Sequence, residues 1–152
     1  MNLIELQVAT EAEHPEPARF QVWVDAALAG REVDSEIVIR LVDETESAEL
    51  NGQYRQKAGP TNILSFPFEA PPGVEMDLLG DLVVCAPLIA REAAEQGKSV
   101  EHHWAHITVH GVLHLLGYDH VDELEAEQME ALEIEILEKL DIANPYMEEH
   151  ER

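Results

Sequence analysis

His110-Gly-Val-Leu-His114-Leu-Leu-Gly117-Tyr-Asp-His120 is the most informative stretch of this sequence. His114 follows His110 by four positions, so on a helix both imidazoles project from one face about one turn apart. Gly117 can adopt the left-handed conformation that ends a helix, and the returning chain would bring His120 towards the other two rings. Three neutral imidazoles with an open coordination position are typical of a catalytic zinc site. The sequence therefore predicts one metal ion bound by His110, His114 and His120.

The same spacing occurs in the long zinc-protease motif H-E-x-x-H-x-x-G-x-x-H. In those proteases the Glu after the first His acts as the general base. Here that position is Gly111, which has no side chain to move a proton. The metal-binding half of the motif is present and the peptide-hydrolysis half is missing, which weakens an interpretation as a peptidase.

Three more histidines precede the motif on the same predicted helix, namely His102, His103 and His106. His106 and His102 lie about 5 and 11 Å below His110 along the helix axis. That is too far for a metal held at about 2 Å by His110 and His114. Ordinary packed or hydrated rings are the favoured interpretation for these residues, with His106 kept as a candidate hydrogen-bonding residue behind a metal ligand.

The 152 residues suit a single domain, and we expect residues 1–152 to form one.

The charge of the chain restricts its partners. The 9 Lys and Arg against 32 Asp and Glu give a formal net charge of −23. A field of that sign repels nucleic acid and anionic membranes, although a few clustered cations can form a local positive patch. Arg55 and Lys57, just before a loop, are the best candidates for such a patch.

The sequence also indicates the cellular compartment in which the protein acts. Cys85 is the single cysteine, which excludes an internal disulfide and fits a reducing compartment. The first residues lack the basic and apolar regions of a signal peptide. No apolar run approaches the length that spans a bilayer. We therefore expect a soluble, cytoplasmic protein with no membrane partner.

Strands and helices alternate early in the chain, and helices dominate later. Residue periodicity predicts strands around residues 4–8, 36–42 and 81–85, and an edge strand that begins at Ile63 and contains Pro67. It predicts helices from Phe20 to Leu28, from the capping residue Asp43 to Arg55, at residues 87–95, after Gly97, and through Leu140. This order predicts an α+β fold, a small mixed sheet of about four strands covered by helices.

These residues resemble the YbeY family of metal-dependent, single-strand-specific endoribonucleases, which act in maturation of ribosomal RNA in bacteria. The pattern H-G-x-L-H-L-x-G-Y-D-H is matched in full by residues 110–120. The likeness extends to Leu50-Asn-Gly-Gln-Tyr-Arg55, to Pro60-Thr-Asn-Ile-Leu-Ser-Phe-Pro67 and to Gly80-Asp81-Leu-Val-Val-Cys85. In order and spacing it covers most of residues 35–140. It implies an α+β fold with a small mixed sheet, a zinc ion on the three histidines and Arg55 on an RNA-facing cleft.

We therefore expect a zinc-dependent hydrolase that cleaves single-stranded ribosomal RNA and acts in ribosome assembly and quality control. The zinc would lower the pKa of a water and neutralise charge in the transition state, and Arg55 would pair with the phosphate. Asp81 and Asp119 are candidate proton acceptors or partners of a ligand histidine. Local turn or capping roles for the two Asp residues, and a surface salt bridge for Arg55, are the alternatives.

Two other functions fit the same residues. A structural zinc closed by four protein ligands would suit a ribosome-assembly adaptor without catalysis. A metallopeptidase with an unconventional general base is the third interpretation. The large negative charge favours an RNA enzyme delivered by the ribosome or by ribosome-associated proteins.

Overall fold

The computed structural model describes residues 2–30, 35–69, 71–73, 77–118 and 122–145. The elements in chain order are β1 (Leu3–Ala9), α1 (Pro17–Ala27), β2 (Glu36–Val42), α2 (Glu44–Arg55), β3 (Ile63–Pro67), β4 (Leu78–Cys85), α3 (Ala86–Gln96), α4 (Val100–Leu115) and α5 (Glu123–Lys139). Every predicted strand and helix is present within a few residues of its expected bounds. Among the helices in the described ranges, none has the length and apolar character needed to cross a membrane.

The four strands form one mixed sheet in the order β1-β2-β4-β3. Strands β1 and β4 run parallel to β2 on either side of it, and β3 is antiparallel to β4. The predicted α+β fold with a small mixed sheet is therefore confirmed. Strand β3 lies at an edge of the sheet, as Pro67 predicts, because a proline cannot donate a ladder hydrogen bond.

Side chains alternate across the sheet, so its two faces meet different helices. One face carries Ile39 and Leu82 into the main core, which α1, α4 and α5 complete. Phe20 lies at the centre of that core, edge-on to Trp23 at 5.4 Å and to Trp104 at 5.7 Å between ring centroids. On the opposite face, helix α2 covers a smaller cluster that includes Leu64 and Val83. That opposite face is less completely covered than the first.

Helix α4 lies against the sheet, and 10 of its 16 residues are buried. Gly111 is a buried residue of α4 that packs against the strands. A Cβ atom added there would lie 2.5 Å from Cδ1 of Ile63 and 2.9 Å from Cδ2 of Leu82. The absence of a side chain at this position lets the helix sit directly on β3 and β4.

Both ends of α4 follow from the local sequence. The Oγ of Ser99 accepts a hydrogen bond from the N–H of His102 at 3.3 Å and so caps the first turn. The helix ends at Leu115, and Gly117 has a φ of +103°, which is the predicted left-handed turn. After this turn the N–H of Tyr118 donates to the carbonyl oxygen of Leu113 at 3.1 Å, which holds Tyr118 against the last turn of the helix.

Candidate functional site

His110 and His114 face each other at the C-terminal end of α4, with 3.0 Å between their Nε2 atoms. The Nδ1 of His114 donates to the carbonyl oxygen of Tyr118 at 2.9 Å. The Nδ1 of His110 donates to the carboxylate of Glu133. Because each neutral ring keeps its proton on Nδ1, each directs the lone pair of its Nε2 at the other. Only a cation or a shared proton stabilises two lone pairs at this distance.

This donor pair fits a divalent metal ion. Two nitrogens bound to a tetrahedral zinc at about 2.0–2.1 Å lie about 3.3 Å from each other. The observed 3.0 Å is close to that separation. The predicted third ligand, His120, lies outside the described residues, as does Asp119, so both stay predictions.

Glu133 of α5 is a fully buried carboxylate behind the histidine pair. Besides its bond to His110, its Oε2 lies 3.9 Å from the Nε2 of His106. Burial lowers the pKa of His106 although the carboxylate of Glu133 acts in the opposite direction. Donor atoms of His106, His110 and Glu133 lie within 4.8 Å of one another, so these three residues could also hold a metal ion. That second arrangement lies between α4 and α5, whereas the Nε2 pair faces a cleft.

The cleft has a volume of about 860 Å³ and is lined by α4, by β3 and by the C-terminal end of α2. It brings Arg55 together with His110 and His114. No acidic residue in the described part of the chain lines it, although the chain contains 32 Asp and Glu. The cleft is therefore a local exception on a strongly negative molecule.

The cations near the cleft differ from those elsewhere. Arg19, Arg40 and Arg91 each form an ion pair with a carboxylate. Arg55 and Lys57, in contrast, form no ion pair with any described carboxylate. A surface salt bridge, the alternative interpretation of Arg55, thus has no described partner. Both cations are exposed, and Arg55 is available to an anionic ligand in the cleft.

Aromatic rings form part of the cleft wall. Tyr54 and Tyr118 line it and are 59% and 40% exposed. Phe66 lines it from β3 and contacts Tyr54 edge-on, with 5.1 Å between ring centroids. Partly exposed rings of this kind can stack on nucleobases, since every base has a π-face.

Asp81 lies elsewhere. In β4 it is flanked by Gly80 and Leu82, which face α4, so its own side chain points to the opposite face of the sheet. Desolvation raises its pKa, and the negative charge of Glu5 on β1, two strands away, adds to the effect. The structure does not bring Asp81 to the histidine pair, and its side chain does not line the cleft.

The structure also explains why the chain has no glutamate at the position where zinc proteases carry their general base. Gly111 faces Ile63 and Leu82 of the sheet at distances that leave no room for a larger side chain. A glutamate at this position would meet the core instead of reaching the cleft. Close helix–sheet packing therefore explains why the residue after the first histidine is glycine.

The model of the family Endoribonuclease YbeY matches residues 7–141 of the chain. The chain belongs to the YbeY endoribonuclease family. The predicted resemblance is thereby confirmed, and with it the assignment to a family of enzymes.

Three YbeY relatives are similar over nearly their whole length, and each is named Endoribonuclease YbeY. The relative from Alteromonas mediterranea is 56% identical over 151 residues, covering 95% of this chain and 96% of its own. That from Methylococcus capsulatus is 59% identical over 143 residues, 94% of each chain. That from Pseudomonas savastanoi pv. phaseolicola is 55% identical over 147 residues, 96% of this chain and 89% of its own.

A solved structure supports the fold. The solution structure of TM1509 from Thermotoga maritima covers 96% of this chain and 100% of its own, with a TM-score of 0.58 and 23% sequence identity. At that identity the comparison shows a shared fold alone.

Sequence reasoning missed Glu133. It lies four residues after Met129 and three before Ile136, both buried, so the helical period assigns it to the core. A carboxylate in the apolar stripe of a helix is seldom buried without a partner. This signal in the sequence predicts a buried carboxylate that needs a partner, and the structure shows that the partner is His110.

Proposed function

We propose that this chain is a zinc-dependent endoribonuclease that cleaves single-stranded RNA in the cleft between α4, β3 and α2. The observation that carries the proposal is the composition of the cleft wall, which holds Arg55 and two facing imidazoles and no described carboxylate. In a chain of net charge −23, such a wall favours an anionic substrate over a cationic or neutral one.

Each residue of the site has a separate proposed role. Arg55 has a guanidinium that can bind two phosphate oxygens at once, and no described carboxylate competes for it. His110 and His114, with His120 as the proposed third ligand, would hold the zinc ion. A bound zinc supplies a Lewis acid for the phosphodiester and a water of lowered pKa. Glu133 holds the His110 ring so that Nε2 faces the cleft.

We propose Asp119 as the proton acceptor of this site. Asp119 immediately precedes His120, so its carboxylate is the acidic group nearest in sequence to the proposed ligands. We assign no step to Asp81, because its side chain lies on the sheet face opposite α4.

A preference for single strands agrees with the aromatic part of the wall. Tyr54, Phe66 and Tyr118 can contact base faces only when those bases are unstacked from a helix. A duplex keeps its base faces covered, so it would forgo these contacts.

Peptide hydrolysis is disfavoured by two features. Gly111 leaves no space for a general base at the position where zinc proteases carry one. The cleft also presents an arginine in place of the carboxylates that would attract basic peptides.

The biological setting of the proposal is ribosomal RNA maturation in the cytoplasm, with ribosome assembly and quality control as the wider role. The family membership and the relatives named as endoribonucleases support an RNA substrate. A ribosome or ribosome-associated partner would help a chain of this charge to reach RNA.

The test compares three substrates of similar length, namely single-stranded RNA, duplex RNA and an unstructured polypeptide. Purified wild-type protein should cleave the single strand only, and a chelator should abolish cleavage until zinc is restored. His114→Ala should lose both the bound zinc and the activity, while His102→Ala, on the first turn of the same helix, should keep both. Cleavage that survives in His114→Ala without metal contradicts the proposal, and zinc binding without cleavage of any RNA supports the adaptor interpretation.

A further inference from the structure

Asn62, at the entrance to β3, lines the cleft beside the residues assigned above. Its Nδ2 donates to both oxygens of Glu92, at 3.1 Å to Oε1 and 3.3 Å to Oε2. A carboxylate accepts hydrogen bonds and donates none, so the amide nitrogen of Asn62 must be the atom that faces Glu92. The carbonyl oxygen Oδ1 is then the remaining polar atom of the side chain, and no described residue donates to it.

Glu92 is itself fixed by a second contact. The Nε2 of His103, a residue of α4 that is 3% exposed, lies 2.9 Å from Oε1 of Glu92 and donates to it. Burial acts to raise the pKa of Glu92, but the hydrogen bonds from His103 and Asn62 outweigh it and hold the pKa below its ordinary value. Glu92 is therefore an anion that locks the Asn62 amide in one orientation. The backbone of Asn62 is also anchored, because its carbonyl oxygen accepts from the N–H of Cys85 at 2.9 Å.

This orientation determines what Asn62 can recognise. An accepting oxygen cannot bind phosphate, which has no proton to donate at neutral pH, and the negative charge of Glu92 behind it disfavours phosphate further. A nucleotide offers two kinds of donor, the ribose 2′-hydroxyl and the N–H groups on base edges. His103 precedes His110 by seven positions, so the Asn62–Glu92–His103 chain joins α4 about 10 Å along the helix axis from His110.

We propose that Oδ1 of Asn62 accepts a hydrogen bond from a nucleoside donor of the RNA substrate, and that Glu92 and His103 act as positioning residues for it. The cleft then has two functional parts. Arg55 and the histidine pair take the phosphate, and Asn62 selects for the sugar or base of a nucleotide. This inference rests on the proposed function and goes beyond it, since it names the recognised group.

The test measures equilibrium binding by fluorescence anisotropy in the presence of a chelator, so that neither cleavage nor metal affects the result. The probes are labelled single strands of one sequence as RNA, as DNA and as 2′-O-methyl RNA, together with RNA homopolymers of A, C and U. The proteins are wild type, Asn62→Ala, Asn62→Ser, Glu92→Gln and the double variant Asn62→Ala/Glu92→Gln. Gln53→Ala, which removes an exposed carboxamide from α2 outside the cleft, is the matched control.

One hydrogen bond should change affinity about two- to tenfold. If the donor is the 2′-hydroxyl, wild type prefers RNA to DNA and to 2′-O-methyl RNA by that factor, and Asn62→Ala removes the preference. If the donor is on a base, the preference is among the homopolymers and disappears in the same variant. Glu92→Gln should reduce the preference as much as Asn62→Ala does. A glutamine at position 92 can donate to the Oδ1 of Asn62, so the Asn62 amide can turn round and no longer offers this oxygen to the nucleotide. The double variant should lose nothing more, since both changes remove one interaction.

Two results would overturn the inference separately from the proposed function. If both Asn62 variants fold, as judged by thermal unfolding, and keep the wild-type ranking of all probes, Asn62 does not select a nucleoside donor. If Glu92→Gln keeps a preference that Asn62→Ala loses, Glu92 is not a positioning residue. Failure of the wild-type protein to cleave any RNA when loaded with zinc would instead contradict the proposed function.

Discussion

Substitution of Glu133 by Gln should weaken zinc binding about tenfold without unfolding the protein. Glu133 is fully buried, and its carboxylate accepts the Nδ1–H of His110. Glutamine has the same shape and keeps one accepting oxygen, but it has no charge. A hydrogen bond to a charged group contributes about 1.5–3 kcal/mol and a neutral one about 0.5–1.5 kcal/mol. The midpoints of these ranges differ by about 1.3 kcal/mol, which corresponds to a nearly tenfold change in affinity.

The assay is a competition between the protein and a chromophoric chelator for zinc, at constant pH and ionic strength. Glu127→Gln is the matched control. Glu127 is an exposed residue of the same helix, and its substitution removes the same charge. It should leave the zinc affinity unchanged. Thermal unfolding of both apo variants checks that any loss arises in the folded state.

The same assay distinguishes the two metal arrangements. A zinc ion held by the cleft-facing pair should be lost in His114→Ala and retained, within about tenfold, in His106→Ala. An ion held by His106, His110 and Glu133 should show the opposite order, and Glu133→Gln would then remove a ligand outright. Equal zinc affinity in wild type and Glu133→Gln would refute the reasoning that this carboxylate orients His110.

Three further predictions concern packing, phosphate binding and pH. Gly111→Ala should destabilise the protein by about 1 kcal/mol, since overpacking costs about 1–3 kcal/mol and better helix propensity returns about 1 kcal/mol. In urea unfolding, Gly52→Ala is the control and should stabilise, because its added Cβ meets nothing closer than 3.8 Å; equal effects of the two would contradict the packing account. Arg55→Ala should lower kcat/KM on single-stranded RNA about 10- to 100-fold, and Lys57→Ala, outside the cleft, should lower it much less. The lowered pKa of Glu92 contributes stability that is complete above its ordinary value of about 4.5 and is lost as the pH falls through its folded value. The stability difference between wild type and Glu92→Gln should therefore shrink between about pH 6 and pH 3 in urea titrations, and a constant difference would show that the carboxylate is not stabilised by its partners.

Local patterns predicted most of the elements, because each depends on residues close in sequence. The strand at residues 36–42 and the turn at Gly117 are examples in which period and backbone freedom decide the structure alone. The facing pair of His110 and His114 also follows from helical spacing. These features need no knowledge of how the elements pack.

Features that depend on packing were not predictable in the same way. The strand period shows that Asp81 and Leu82 face opposite sides, but only the packed sheet shows that α4 covers the side of Leu82. Glu133 and His110 are 23 positions apart, and their contact requires α5 to pack on α4. The contact between Asn62 and Glu92 likewise joins two elements separated by β4.

The contrast between the cleft and the rest of the surface affects how long polyanions can approach. At low ionic strength the repulsion from a chain of net charge −23 extends far beyond the cleft, because the Debye length is about 30 Å at 0.01 M salt and about 8 Å at 0.15 M. A duplex carries about twice the linear charge of one strand, so it meets a higher barrier before any contact with Arg55 forms. Salt should therefore accelerate encounter with RNA here, whereas it slows encounter for proteins whose whole surface is basic.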